Sequence, residues 1–93
     1  MATEVREPQT SRPRSRAGLD INEVPDGLII YDGTNDQVHY LNHTAAVIFC
    51  FCTGDYTEEA IAEELRACFA LEKLPASDTA ACLATFRHEG LVD

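Results

Sequence analysis

The sequence predicts an α+β domain of winged-helix outline, a strand hairpin followed by three helices. Three observations carry this expectation. Gly27-Leu28-Ile29-Ile30-Tyr31 is an apolar, β-branched run that ends in turn residues. Val38-His39-Tyr40-Leu41 is a second short strand, and it runs straight into the polar helix start Asn42-His43-Thr44. Two more helix-like segments follow, closed by Gly90-Leu91-Val92.

Taken in chain order, residues 1–17 hold Pro8, Pro13, two serines and four arginines, with almost no large apolar side chain. Such a segment buries too little surface to offset its ordering entropy, so a flexible basic tail is expected over 1–17 and a domain over 18–93. Leu19, Ile21 and Val24 suggest a first strand or an extended lead-in, stopped by the turn signal Pro25-Asp26-Gly27. The strands around 28–31 and 37–41 are joined by Asp32-Gly33-Thr34-Asn35-Asp36, which is turn chemistry.

The first helix is expected over about 44–53, capped by Asn42 or Thr44 and stopped by Gly54. Ala45, Ile48, Phe49 and Cys52 fall on one face at helical spacing. Thr57 caps the second helix, and Glu58 and Glu59 complement its N-terminal dipole. Ile61, Leu65, Cys68 and Phe69 form its apolar stripe; Glu59, Glu63 and Arg66 form its wet face. The helix ends near Ala70, and 71–75 is a connector. Ser77 is the expected cap of the third helix, whose apolar face is Thr79, Cys82, Leu83 and Phe86, with Gly90 as a left-handed stop. Leu41, Ile48, Phe49, Ile61 and Leu65 are assigned to the core.

Charge narrows the function classes. The chain of 93 residues carries 16 carboxylates and 7 Lys+Arg. Residues 18–93 hold 14 of the carboxylates against Arg66, Lys73 and Arg87, a net −11, while the tail carries +2. A phosphate backbone is repelled by such a domain, which argues against nucleic acid despite the winged-helix outline. No apolar run is long enough to span a membrane, and the N-terminus lacks a signal-peptide pattern, so a cytoplasmic protein is expected.

A cytosolic chain keeps Cys50, Cys52, Cys68 and Cys82 reduced. Cys50 and Cys52 diverge by about 200° on a helix, a poor geometry for sharing one metal ion, and all four cysteines are read as core. His39, His43 and His88 lie on different elements, and no phosphate loop, HExxH or Ser/His/Asp order fits them. Paired glutamates on the second helix read as a solvated face. The chain is not expected to be an enzyme, and no cofactor or metal is implied.

The strand over 37–41 stands out. It closes a sheet of at most three strands and carries no Lys, Pro or bulge to protect its edge. An unprotected edge beside a groove suits an extended peptide that adds a strand. A symmetry mate or the third helix covering it is the alternative.

These residues also carry a family likeness. Asp26-Gly27, Ile30-Tyr31-Asp32, Tyr40-Leu41-Asn42-His43-Thr44-Ala45-Ala46, Cys52-Thr53-Gly54, Thr57-Glu58-Glu59-Ala60-Ile61-Ala62 and Phe86-Arg87-His88-Glu89-Gly90-Leu91-Val92 together resemble PqqD-like proteins, the RiPP precursor peptide recognition elements. The likeness covers about 19–93; the arginine-rich tail is outside the family pattern. It implies a three-stranded antiparallel sheet followed by three α-helices in a winged helix-turn-helix-like arrangement. It also implies a peptide chaperone of natural-product biosynthesis. Such a module binds the leader segment of a ribosomally made precursor peptide and presents it to a modifying enzyme, often a radical SAM enzyme. By this likeness the leader's backbone lies on Gln37, Val38, His39, Tyr40 and Leu41. The other wall is Thr79, Leu83, Phe86 and Arg87, with Arg87 free to pair with a leader Asp or Glu.

The expected partners are thus a leader peptide and a peptide-modifying enzyme, with neither nucleic acid nor membrane, and the expected state is a monomer, a dimer being the alternative. A structural adaptor of an enzyme complex and a winged-helix DNA-binding protein are the competing functions.

Overall fold

The computed structural model describes residues 12–93. Three antiparallel strands come first, β1 (Asp20–Val24), β2 (Gly27–Asp32) and β3 (Gln37–Asn42), then three helices, α1 (His43–Cys50), α2 (Glu58–Cys68) and α3 (Ala76–His88). This is the expected α+β architecture. The lead-in around Leu19, Ile21 and Val24 resolves into the strand β1.

The sheet order is β1-β2-β3, so β2 is central and β1 and β3 are edges. Register follows from side-chain alternation. Leu28 stands opposite Leu41 and Ile30 opposite His39, which places Leu28, Ile30 and Leu41 in the core. Ile29 opposite Tyr40 and Tyr31 opposite Val38 occupy the outer face. A one-residue slip would send Ile30 into water, and the hydrophobic effect forbids it. Gly27 sits across from Asn42 at a close approach, where a Cβ would overlap the Leu41 carbonyl.

The helices close over the sheet's inner face. Ile48 and Phe49 of α1, Ile61 and Leu65 of α2, and Leu83 and Phe86 of α3 meet Leu28, Ile30 and Leu41 in one cluster. Phe49 and Phe86 pack edge to face, with centroids 5.7 Å apart, the preferred aromatic geometry. Leu91 and Val92 turn back into this core after Gly90, whose φ of +77° is the left-handed stop.

Several local expectations are corrected. Helix α1 ends at Cys50 rather than near 53: the Phe51 and Cys52 N–H groups donate to the Ile48 and Phe49 carbonyls in a tightened last turn, and the chain ahead of β1 bonds the residues that follow. The Ser15 N–H donates to the Cys52 carbonyl at 2.8 Å, and the Gly54 N–H donates to the Pro13 carbonyl at 3.0 Å. Asn42, not Thr44, caps α1 by accepting from the Ala45 N–H at 2.9 Å. Ser77 is not the cap of α3. Pro75 holds that position, where a missing N–H costs nothing, and the Thr79 hydroxyl donates to its carbonyl at 2.7 Å. Of the cysteines read as core, Cys52 is buried and Cys82 half-buried, but Cys50 and Cys68 are exposed.

The flexible tail expected over 1–17 falls, for residues 1–11, outside the described residues. Residues 13–16 lie along the body: Arg14 bridges to Thr53 and Ser15 to Val92. Arg16 ends this strap. Its guanidinium meets Asp32 at 2.6 Å, and its Nε donates to the Gly90 carbonyl at 2.6 Å. One side chain thereby ties the strap to the β2–β3 turn and to the end of α3.

Asp32 is nearly inaccessible, and every donor around it favours its charged form. The Asn35 amide donates to Oδ2 at 2.8 Å, and the Thr34 and Asn35 backbone N–H groups donate to Oδ1. The Asn35 side chain first, then its backbone N–H and Arg16, hold this carboxyl below the usual carboxylate range, against the opposing effect of burial. A depressed folded-state pKa contributes stability that is full above the unfolded value and is lost as pH falls through the folded one. Asp32→Asn is therefore expected to flatten the loss of stability below about pH 4. Urea midpoints measured from pH 2 to 7 check this; an unchanged acid limb counts against it.

Candidate functional site

Strand β3 pairs only with β2, and its other edge is unpaired among the described residues. Along an antiparallel edge strand, alternate residues point their N–H and C=O groups away from the sheet. Those of β3 are not blunted: its pairing runs without a bulge from Gln37 to Asn42, and it contains neither Lys nor Pro. Alternation divides its side chains. Val38 and Tyr40 stand outward, 66% and 55% exposed, while His39 and Leu41 face inward. The Tyr40 hydroxyl donates to the Asp26 carbonyl at 3.4 Å, which holds the outer face against the β1–β2 turn.

No Cα of β3 comes within 8 Å of a Cα of α3. The gap is a groove of about 320 Å³, bounded by residues 38–41 on one side and by Thr85, Phe86, Glu89 and Leu91 on the other. Leu41, Phe86 and Leu91 make its floor, each almost wholly buried. The walls are polar. Nδ1 of His39 lies 3.5 Å from Glu89 Oε1, and Nε2 is buried without a hydrogen-bond partner.

The residues named from sequence divide accordingly. Val38, His39, Tyr40, Leu41 and Phe86 line this groove, and Gln37 is exposed at the start of the same strand. Thr79 and Leu83 have no exposed surface and sit in the core. Arg87 leaves α3 on another side, toward α2, 3.9 Å from Glu58. Thr85, Glu89 and Leu91 border the groove without having been singled out. Their signal is position. The helix stripe 79, 83, 86 is the centre of the buried face, and a groove beside a helix is walled by the flank of that stripe, where Thr85 and Glu89 fall four residues apart.

A second cleft of about 610 Å³ lies on the β1 side, between Ile21 and Glu23, the end of α1 and Ser15 of the strap. Neither cleft brings together nucleophile, base and charge stabiliser. Burial pushes the Cys52 thiol up to about 12 and the Cys82 thiol upward as well, so neither supplies a ready thiolate. Among the described residues no group of three or more His, Cys, Asp or Glu has a metal-binding arrangement, and no helix is long and apolar enough to cross a membrane.

No protein-family model matches the chain. No curated protein matches it significantly. Among solved structures it is similar to a lasso peptide synthetase B1 complexed with the leader peptide. The superposition has a TM-score of 0.75 at 23% identity and covers 89% of this chain and 99% of that one. At this identity the likeness is one of fold.

Proposed function

We propose that this chain is a non-catalytic binding module that captures the leader segment of a ribosomally synthesised precursor peptide and presents it to a modifying enzyme, of radical SAM or similar type. The observation that carries the reading is the unprotected β3 edge facing a groove with an apolar floor. The solved structure with the same fold is described in complex with a leader peptide, which supports the reading. So does the PqqD-like pattern over 19–93.

The mechanism is strand addition. Outward N–H and C=O groups of residues 37–41 bond the peptide main chain and provide affinity independent of its sequence. Inward side chains of the peptide meet Leu41, Phe86 and Leu91, and burial of apolar surface adds selectivity. The peptide-recognition unit is 18–93 together with the strap at 13–16. Its net charge of −9 disfavours nucleic acid. The same exposed edge and the outward Val38 and Tyr40 favour one second reading, an adaptor that completes a complex or a homodimer through β3.

Amide NMR during titration of the leader segment of the nearest precursor peptide tests the reading. Shifts confined to 37–42 and 85–91 are the expected result. Mass measured by sedimentation across concentration separates a monomeric carrier from a β3-paired dimer. A spectrum of the folded protein that does not respond to that segment counts against leader capture.

A further inference from the structure

The groove has a charge to which the family likeness assigned no role. Among the described residues Glu89 is the only Asp, Glu, Lys or Arg on its walls. Arg16 is engaged with Asp32 and with the Gly90 carbonyl, each at 2.6 Å, and Arg87 points toward α2, 3.9 Å from Glu58. Arg66 lies 3.1 Å from Glu63 on α2, and Lys73 is in the connector before α3. The leader Asp or Glu expected to meet Arg87 would find a carboxylate in the groove instead.

Glu89 is also available. Its 3.5 Å separation from His39 Nδ1 is too long for a good hydrogen bond, and its side chain is 40% exposed. Below it lie Phe86 and Leu91, an apolar surface suited to the aliphatic stem of a long cationic side chain. The net charge of −9 over residues 13–93 draws a cationic peptide toward the site and repels an acidic one.

We infer that the groove selects an extended peptide bearing a Lys or Arg, whose head group is received by Glu89 while its stem lies on Phe86 and Leu91. This rests on the strand-addition reading above and adds the chemistry of the peptide. Glu89 is thereby the specificity-determining residue of the groove, and Arg87 is not.

The test is a random dodecapeptide display library selected against the full chain, followed by anisotropy titration of the strongest binder as a labelled synthetic peptide. A Lys or Arg at one fixed position is the expected outcome. Changing that residue to Glu weakens binding by at least about fivefold, as for a rim ion pair. Glu89→Lys reverses the preference, Glu89→Gln removes it, and added salt shrinks the wild-type difference. Binders that shift β3 amides but carry no cation, or whose charge preference survives Glu89→Lys, overturn the inference and leave strand addition standing. Binders that leave β3 unshifted, or no binders at all, overturn the strand-addition reading and this inference with it.

Discussion

Val38→Pro is expected to abolish peptide capture by a chain that still folds. Val38 is the most exposed large apolar residue in the described chain, so the ring displaces no core packing. A proline has no N–H to donate and places its ring in the path of an incoming strand. Each main-chain bond is worth about 1 kcal/mol, and a displaced strand loses its neighbouring bonds too, so affinity falls at least about tenfold. Anisotropy gives the affinity, and the amide spectrum reports whether the fold persists. Backbone methylation of alternate peptide amides makes the same test from the ligand side, with the protein untouched. Normal binding by a folded Val38→Pro chain, or by the methylated peptides, ends the strand-addition model.

Gly27→Ala is expected to have the largest effect on stability. A Cβ there overlaps the Leu41 carbonyl oxygen, which belongs to backbone and cannot rotate away as a side chain would. The reason for glycine is thus close approach between β2 and β3, not an unusual φ. Relief demands that the hairpin open at the end nearest α1, where Asn42 both pairs with Gly27 and caps the helix. Overpacking against backbone costs about 3 kcal/mol or more, a large part of the stability of so small a domain. Urea unfolding measures it. A nearly neutral Gly27→Ala would mean that the β2–β3 register differs from the one described.

Much of the fold was legible because its signals are local. The β-branched run at 28–31 and the turn residues at 32–36 specify a hairpin by chain chemistry alone. Thr57 caps α2 and Gly90 ends the last helical turn, each through bonds to residues only a few positions away. The end of α1 was not legible. The Cys52 N–H still donates to the Phe49 carbonyl, but the Cys52 carbonyl and the Gly54 N–H bond to Ser15 and Pro13, about forty positions earlier. Nor was the role of Arg16. A basic, proline-containing segment has the composition of a solvated tail, and only the position of Asp32 at the end of β2 gives its guanidinium a buried partner.

By itself the sequence determined the order of elements, the core stripe, the acidic balance and the bare strand at 37–41. Each is a property of composition or of periodicity within one element. The tertiary structure decided which faces those elements turn toward one another. It buried Thr79 and Leu83, directed Arg87 to α2 and set Glu89 beside His39 across the gap from β3. Helical periodicity locates the apolar stripe of α3 but not the angle at which the stripe meets the sheet. That angle comes from the joint packing of Phe86 with Phe49 and of Leu91 and Val92 beneath them, a many-body condition that no single element carries.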